Sequence, residues 1–462
     1  MNTNVDMNIE NEFRNMQKYF NTDITKNIAF RQDQLLNLKK GILKYEKDIT
    51  AALYSDLGKA PQESYMTEIG IVLEEISYAL KMLPRWQQRR RHNLPLSQFM
   101  GISHVYSEPY GTVLIISPWN YPFQLALAPL VGAISAGNCC VIKPSEFAPH
   151  TAKVLKDLIA EVYAPQYVTV VEGAIEESQA LLKMDFSYIF FTGNPTVGQI
   201  VMEAAAKHLT PITLELGGKS PCIVHETANI PLTAKRIAFG KFLNAGQTCV
   251  APDYVLVQES VKDELIASLK HSITDFFGKE PLKNQELPKI ITDRHFQRLT
   301  KLLINEDIAA GGNFDAKMQK IAPTIVDNAQ WDSPLMAEEI FGPILPIITY
   351  DYLDNAIFEI KKRDKPLALY LFADDIMAET QILESISFGG GCINDTIIHL
   401  ASLKLPFGGV GKSGMGSYHG KTSFDTFSHK KSVVKKAKFP DLTLRYHPYS
   451  ATKLRWIKRF MK

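Results

Sequence analysis

Cysteine is scarce in this chain, and what there is follows no pattern. Five thiols stand among 462 residues, at Cys139, Cys140, Cys222, Cys249 and Cys392. An odd number without metal-type spacing argues against a disulfide framework or a thiolate metal site, and fits a reducing compartment. Long hydrophobic runs are also missing, since no stretch approaches the ~18 apolar residues of a spanning helix. Residues Met1–Glu12 are polar and acidic, without the apolar centre of a secretion signal. A cytoplasmic protein without a resident metal is therefore expected. The Gly-rich segment Phe191–Gly198 is spaced G-x-x-x-x-G, without the G-x-G-x-x-G dinucleotide fingerprint and without the Lys-Ser/Thr of a P-loop, so neither simple phosphate-binding motif applies there.

Net charge is small, at +2, but unevenly spread. From Lys430 to Lys462 there are 11 Lys/Arg and one acid, Asp441, a balance of +10. The rest of the chain, with 40 basic and 48 acidic residues, carries −8. A basic tail on an acidic body suits an anionic surface or the acidic body of a partner subunit, and gives no reason to expect nucleic acid.

What is present is ordinary globular material, 45% hydrophobic and 22% charged, enough for two or three domains at ~100–200 residues each. The first 110 residues read mostly as helix. Leu35, Leu38, Ile42, Ile49 and Leu53 recur at helical spacing up to a stop at Gly58, and a second helix is expected over Glu63–Trp86. From Thr112 to Leu216 short apolar runs (Thr112–Ile116, Cys139–Lys143, Val168–Val171, Tyr188–Thr192, Ile212–Leu216) alternate with amphipathic stretches. That alternation predicts a parallel open sheet covered by helices, with ligands at the edge formed by the strand C-termini. A second α/β block follows from Pro221 to about Gly391, so a cleft between the two is the natural site.

Three segments carry chemistry. Phe242-Leu243-Asn244-Ala245-Gly246-Gln247-Thr248-Cys249 ends a helix on a thiol among small and polar residues. Leu214-Glu215-Leu216-Gly217-Gly218 sets a carboxylate at a strand end, and Pro118-Trp119-Asn120-Tyr121-Pro122 offers an amide where a strand gives way to a helix. Nucleophile, base and oxyanion donor are thereby all supplied. Lys143-Pro144-Ser145-Glu146 can reach ribose hydroxyls, and a carboxylate there disfavours a 2′-phosphate. Thr192-Gly193-Asn194-Pro195-Thr196-Val197 opens a helix whose N–H groups can face a pyrophosphate. Glu339-Ile340-Phe341 can meet a second ribose and the nicotinamide. Read alone, each of these last three is also an ordinary turn.

Taken in this order, from about residue 10 to 435, the segments resemble the aldehyde dehydrogenase superfamily, and most closely its class 3 branch. The resemblance implies an α/β chain with the aldehyde dehydrogenase-like fold. Residues 1–214 would form a modified Rossmann NAD(P)-binding domain, and 215–419 the catalytic domain. Residues 420–462 would supply an oligomerisation strand and basic tail, with 101–111 contributing to the same element. It implies Cys249 as nucleophile, Glu215 as base and Asn120 as oxyanion donor. NAD, with NADP as the alternative, would lie against Ser117, Trp119, Lys143, Ser145, Glu146, Thr192, Gly193, Val197, Leu216, Gly217, Glu339 and Phe341. It further implies a homodimer and an apolar aldehyde, medium to long chain or aromatic, oxidised to the acid. Tyr65, Tyr121, Ile397 and His399 would line its tunnel, unless they are plain core residues. Glu215 argues for water rather than coenzyme A as acyl acceptor. A scaffold without activity and a cysteine esterase are the rival readings.

At Lys453–Lys462, Leu454, Ile457 and Met461 share one helical face with Trp456 and Phe460 beside them and Lys/Arg opposite. The pattern fits an interfacial helix on an anionic membrane, but a helix packed over a dimer mate is the favoured reading, because docked terminal helices are common.

Overall fold

The apolar runs between Thr112 and Leu216 become the centre of a six-stranded sheet. In the computed structural model, which describes residues 3–94, 101–439, 441 and 443–461, its order is Gly414–Met415, Ile212–Glu215, Tyr188–Thr192, Thr112–Ile116, Cys139–Lys143, Val168–Val170. The five longer strands are parallel, and only Gly414–Met415 is antiparallel. These strands are buried on both faces, which is why they read as continuous Val/Ile/Phe runs. Helix Gln124–Ala136 is buried on every side, so its sequence is apolar all round instead of striped. Chain order reverses around Thr112–Ile116, which has the next strand on one side and Tyr188–Thr192 on the other. A crevice opens at such a point, beyond the strand C-termini.

The second block forms a seven-stranded sheet in the order Asp307–Ala310, Thr324–Asp327, Ile344–Tyr350, Tyr254–Gln258, Pro221–Val224, Ala368–Phe372, Gly390–Ile393. Only its Asp307–Ala310 edge is antiparallel. A third sheet pairs Gly101–Pro109 with Ser428–Lys436 over nine residues, with Arg90–His92 on the opposite edge. The C-terminal strand thus returns to the segment just before the first sheet.

Asn27 caps the long helix Ile28–Leu57 through its side chain, and Gly58, at φ 70°, ends it. The single helix expected over Glu63–Trp86 is interrupted. A π turn at Tyr65–Ile69 separates Pro61–Ser64 from Gly70–Trp86. Gly70 permits it, because a Cβ there would sit 2.9 Å from the Tyr65 carbonyl oxygen. Among the described residues no helix is long and apolar enough to cross a membrane. The tail forms helix Ala451–Phe460, capped by Ser450, with Leu454 and Trp456 about half exposed at 51% and 45%. Lys462, the end of the predicted amphipathic stretch, lies outside the described residues.

Candidate active site

The loop that delivers Cys249 is held in an uncommon conformation. Asn244, Ala245 and Gly246 have φ of 52°, 51° and 74°, a left-handed run that costs a non-glycine residue of order 1–3 kcal/mol. Hydrogen bonds fix it from every side. The Asn244 main-chain N–H donates to Glu63 (2.9 Å), and its Nδ2 donates to the carbonyls of Asn120 (2.8 Å) and Gln247 (3.1 Å). Gln247 Nε2 donates to the carbonyls of Asn244 (3.0 Å) and Lys289 (3.1 Å), while its Oε1 accepts from the Ile291 N–H (3.0 Å). Tyr370 Oη bonds the Val250 carbonyl just beyond the cysteine. Asn120, buried across the cleft, donates from Nδ2 to the Gln247 carbonyl at 3.0 Å. One amide hydrogen of Asn120 therefore ties the two blocks together, which leaves the other for a ligand.

Glu215 ends the strand Ile212–Glu215, is buried, and has no hydrogen-bond partner on either carboxyl oxygen. Burial alone holds its proton affinity well above the ordinary carboxylic acid range. The Cys249 thiol is pushed up to about 12, by burial first and then by the Glu339 and Glu215 carboxyls, against a smaller opposite pull from main-chain N–H groups. Burial likewise raises Glu339 to about 8, with Asp253 adding to it. Three groups whose proton affinities are all raised by burial thus gather at one point, the pattern of a functional site.

Two cavities meet here. The larger, about 660 Å³, opens at the strand C-termini of the first sheet and is lined by all twelve residues expected to contact a dinucleotide. Ser117 and Trp119 follow the central strand, and Lys143, Ser145 and Glu146 follow the next. Lys143 is buried and its Nζ donates to the Pro144 carbonyl, 3.6 Å from Glu146. Thr192, Gly193 and Val197 line the opposite wall at the start of helix Pro195–Ala206, where Asn194 caps the Val197 N–H. Leu216, Gly217, Glu339 and Phe341 close the inner end. A Cβ on Gly217 would lie 2.0 Å from Glu339 Oε2, so a larger residue there would displace that carboxylate. Ser117 Oγ and Thr192 Oγ1 are buried without partners. Volume, ribose-type carboxylates and orphaned hydroxyls fit a dinucleotide.

The smaller cavity, about 190 Å³, shares Leu125, Thr192, Glu215, Leu216 and Cys249 with the first. Its wall is apolar, with Met66, Ile71, Phe239, Leu243, Ile397 and Leu400. Tyr121 lines it too, its hydroxyl 2.6 Å from Thr248 Oγ1. Two expected tunnel residues are corrected. Tyr65 is 47% exposed and does not line the cavity, whereas Met66 and Ile71 do. His399 stands behind the wall, its Nδ1 3.5 Å from Cys392 Sγ and its ring against Phe407. Sequence reading missed His295 and Arg298 in the larger cavity and Tyr418 and His419 in the smaller. The His295 ring is 5.9 Å from Trp119, and its Nε2 donates to the Phe341 carbonyl at 2.7 Å. Burial pushes this imidazole down to about 4 and keeps it neutral. No motif marked these four, since tertiary packing alone brings them to the cleft.

The aldehyde dehydrogenase family model matches residues 4–433. This chain belongs to the aldehyde dehydrogenase family. Among aldehyde dehydrogenases, 4,4'-diaponeurosporen-aldehyde dehydrogenase of Staphylococcus aureus is 52% identical over 456 residues, covering 98% of this chain and 99% of that protein. The dimeric NADP-preferring aldehyde dehydrogenase of Rattus norvegicus is 44% identical, covering 93% and 95%. The solved structure of substrate-bound S. aureus AldH superposes with a TM-score of 0.96 at 52% identity, over 98% of this chain and 99% of that one. Family 3 proteins recur among the relatives, including member A2 of R. norvegicus at 43% identity over 98% of this chain. The protein is accordingly an NAD(P)-dependent aldehyde dehydrogenase of class 3 kinship.

Proposed function

We propose that this enzyme oxidises an apolar aldehyde, medium to long chain or aromatic, to its carboxylic acid through a thioester on Cys249, with water as the acyl acceptor. The observation that carries this reading is that Cys249 and Glu215 stand together where the apolar cavity and the larger cleft join. The staphylococcal relative named for 4,4'-diaponeurosporen-aldehyde makes that compound the first candidate substrate.

Lys143 and Glu146 would hold the adenosine ribose and Glu339 the nicotinamide ribose, with Phe341 and Trp119 at the ring. Ser117, Ser145, Thr192, Gly193, Val197, Leu216 and Gly217 shape the path between. Glu146 favours NAD, with NADP as the alternative. When bound, the dinucleotide supplies the acceptor for the aldehyde hydrogen. The Cys249 thiol loses its proton to solvent water, and its sulfur bonds to the carbonyl carbon as the C=O electron pair moves to oxygen. Asn120 Nδ2 and the Cys249 N–H receive that oxyanion, a kind of donor whose loss costs ~10²–10³ in rate. Oxidation of the adduct leaves a thioester. Water then adds as Glu215 takes its proton, the C–S bond breaks and the thiol is regenerated. Glu215, buried without a counter-ion, has the proton affinity this step needs.

The unit boundaries follow the same reading, with 1–214 binding cofactor, 215–419 carrying catalysis and 420–462 the oligomerisation strand and tail. Strands Gly101–Pro109 and Ser428–Lys436 supply a sheet through which a homodimer can form. The enzyme is cytoplasmic, with helix Ala451–Phe460 resting on an anionic bilayer through Leu454, Trp456 and Ile457 between its basic residues. Absorbance of reduced nicotinamide, followed with aliphatic, aromatic and polyene aldehydes and either cofactor, tests the main claim. Long apolar substrates should give the highest kcat/KM, and Cys249→Ala should be inactive. Equal turnover by Cys249→Ala would end the proposal.

A further inference from the structure

Lys59 and Glu68 are both fully buried and form an ion pair at 2.6 Å. A buried pair is a poor source of stability, because desolvating two charges offsets most of their attraction. Its contacts indicate another use. Lys59 Nζ also donates to the main-chain carbonyl of Asn120 at 2.9 Å and lies 3.9 Å from the centre of the Tyr121 ring. Tyr121 in turn bonds Thr248, the residue before Cys249. The other end of the pair holds the next stretch of chain, since Glu68 Oε2 accepts from the N–H groups of Phe123 (3.0 Å) and Gln124 (2.9 Å). Glu68 therefore caps the start of helix Gln124–Ala136 while Lys59 grips the loop ahead of it. Glu68 sits in the π turn Tyr65–Ile69, a distortion of the kind often found at functional sites.

Asn120 is thus fixed through its backbone from behind, while its side chain faces the cysteine loop. We propose that Lys59 and Glu68 are positioning residues for the oxyanion site, holding the Asn120 main chain so that Nδ2 meets the oxygen that develops on the aldehyde. The pair acts on formation of the thioester and leaves dinucleotide binding alone, because neither residue lines the larger cavity. This inference rests on the reading of Asn120 as oxyanion donor, so the Asn120→Ala enzyme belongs in its test.

The experiment is a double-mutant cycle on the full-length enzyme. Single-turnover rates of nicotinamide reduction are measured for the parent, Lys59→Met, Lys59→Met/Glu68→Gln, Asn120→Ala and Lys59→Met/Asn120→Ala, with cofactor affinity by fluorescence titration. Removing the ammonium should slow the single turnover by up to ~10²-fold, the scale of a small misplacement of a catalytic group, with cofactor affinity unchanged. In the Asn120→Ala background the same change should cost less than about twofold, because coupled residues are non-additive. A merely structural pair would give the same loss in both backgrounds, and that result overturns the proposal. So does a folded Lys59→Met/Glu68→Gln enzyme of parental rate. Should the Lys59 variants fail to fold, Glu68→Gln, which keeps shape and ammonium, carries the cycle with the same expectations. An Asn120→Ala enzyme of parental rate would sink the underlying reading of the site, and the proposal with it.

Discussion

Replacing Glu215 by glutamine changes one oxygen to nitrogen in a side chain that makes no hydrogen bond and is wholly enclosed. No partner is left stranded, so the fold and both cavities should persist. What disappears is a proton acceptor, and removal of a positioned base costs ~10²–10⁴ in the step it serves. That step is hydrolysis, whereas the first oxidation still has Cys249 and Asn120. Mixed rapidly with aldehyde and cofactor, Glu215→Gln should give a burst of reduced nicotinamide close to one per subunit. A steady state lower by ~10²-fold or more should follow. Mass spectrometry of the quenched protein should find the acyl group on the Cys249 peptide. The pH profile follows from the same carboxyl. Its raised proton affinity moves its ionisation to higher pH than that of an ordinary carboxylic acid, so the parent's hydrolytic limb should rise with pH and the variant's should lack that rise. An unchanged steady state, or a burst and steady state lost to the same degree, would refute the assignment.

Gly217→Ala should raise the KM for dinucleotide with smaller effect on the aldehyde, because its Cβ would push the Glu339 carboxylate out of place; initial-rate kinetics in both substrates check this. Phe239→Ala, which opens the apolar cavity wall, should shift kcat/KM toward longer or bulkier aldehydes, read from a homologous chain-length series. Ending the chain at Ser450 should abolish sedimentation with phosphatidylserine vesicles and leave activity on a short aldehyde unchanged. Equal partitioning of both forms would point to a partner subunit as the surface the helix covers.

Most of the first sheet was legible because its strands are buried on both faces and its helices are cleanly interposed. The predicted Thr112–Ile116, Cys139–Lys143 and Tyr188–Thr192 match the strands residue for residue. Gly390–Ile393 was not foreseen, since two glycines weaken any strand pattern; at Gly391 a Cβ would lie 2.1 Å from the Leu369 carbonyl oxygen, so the sheet itself requires the glycine. The π turn was hidden for a related reason, as one inserted residue in an amphipathic helix leaves little mark on its periodicity. In the candidate site, residues within the three motifs came together where expected. Lys59, Glu68, His295 and His419 did not announce themselves, because charged and aromatic residues far apart in sequence carry no local sign of shared burial.

Because the apolar cavity and the dinucleotide cleft touch only around the thiol and its neighbouring carboxyl, each molecule has its own door. A carboxylic acid made at the sulfur can slip back the way the aldehyde came while the spent nucleotide is still seated. Substrate traffic and redox traffic are thereby kept from queuing behind one another.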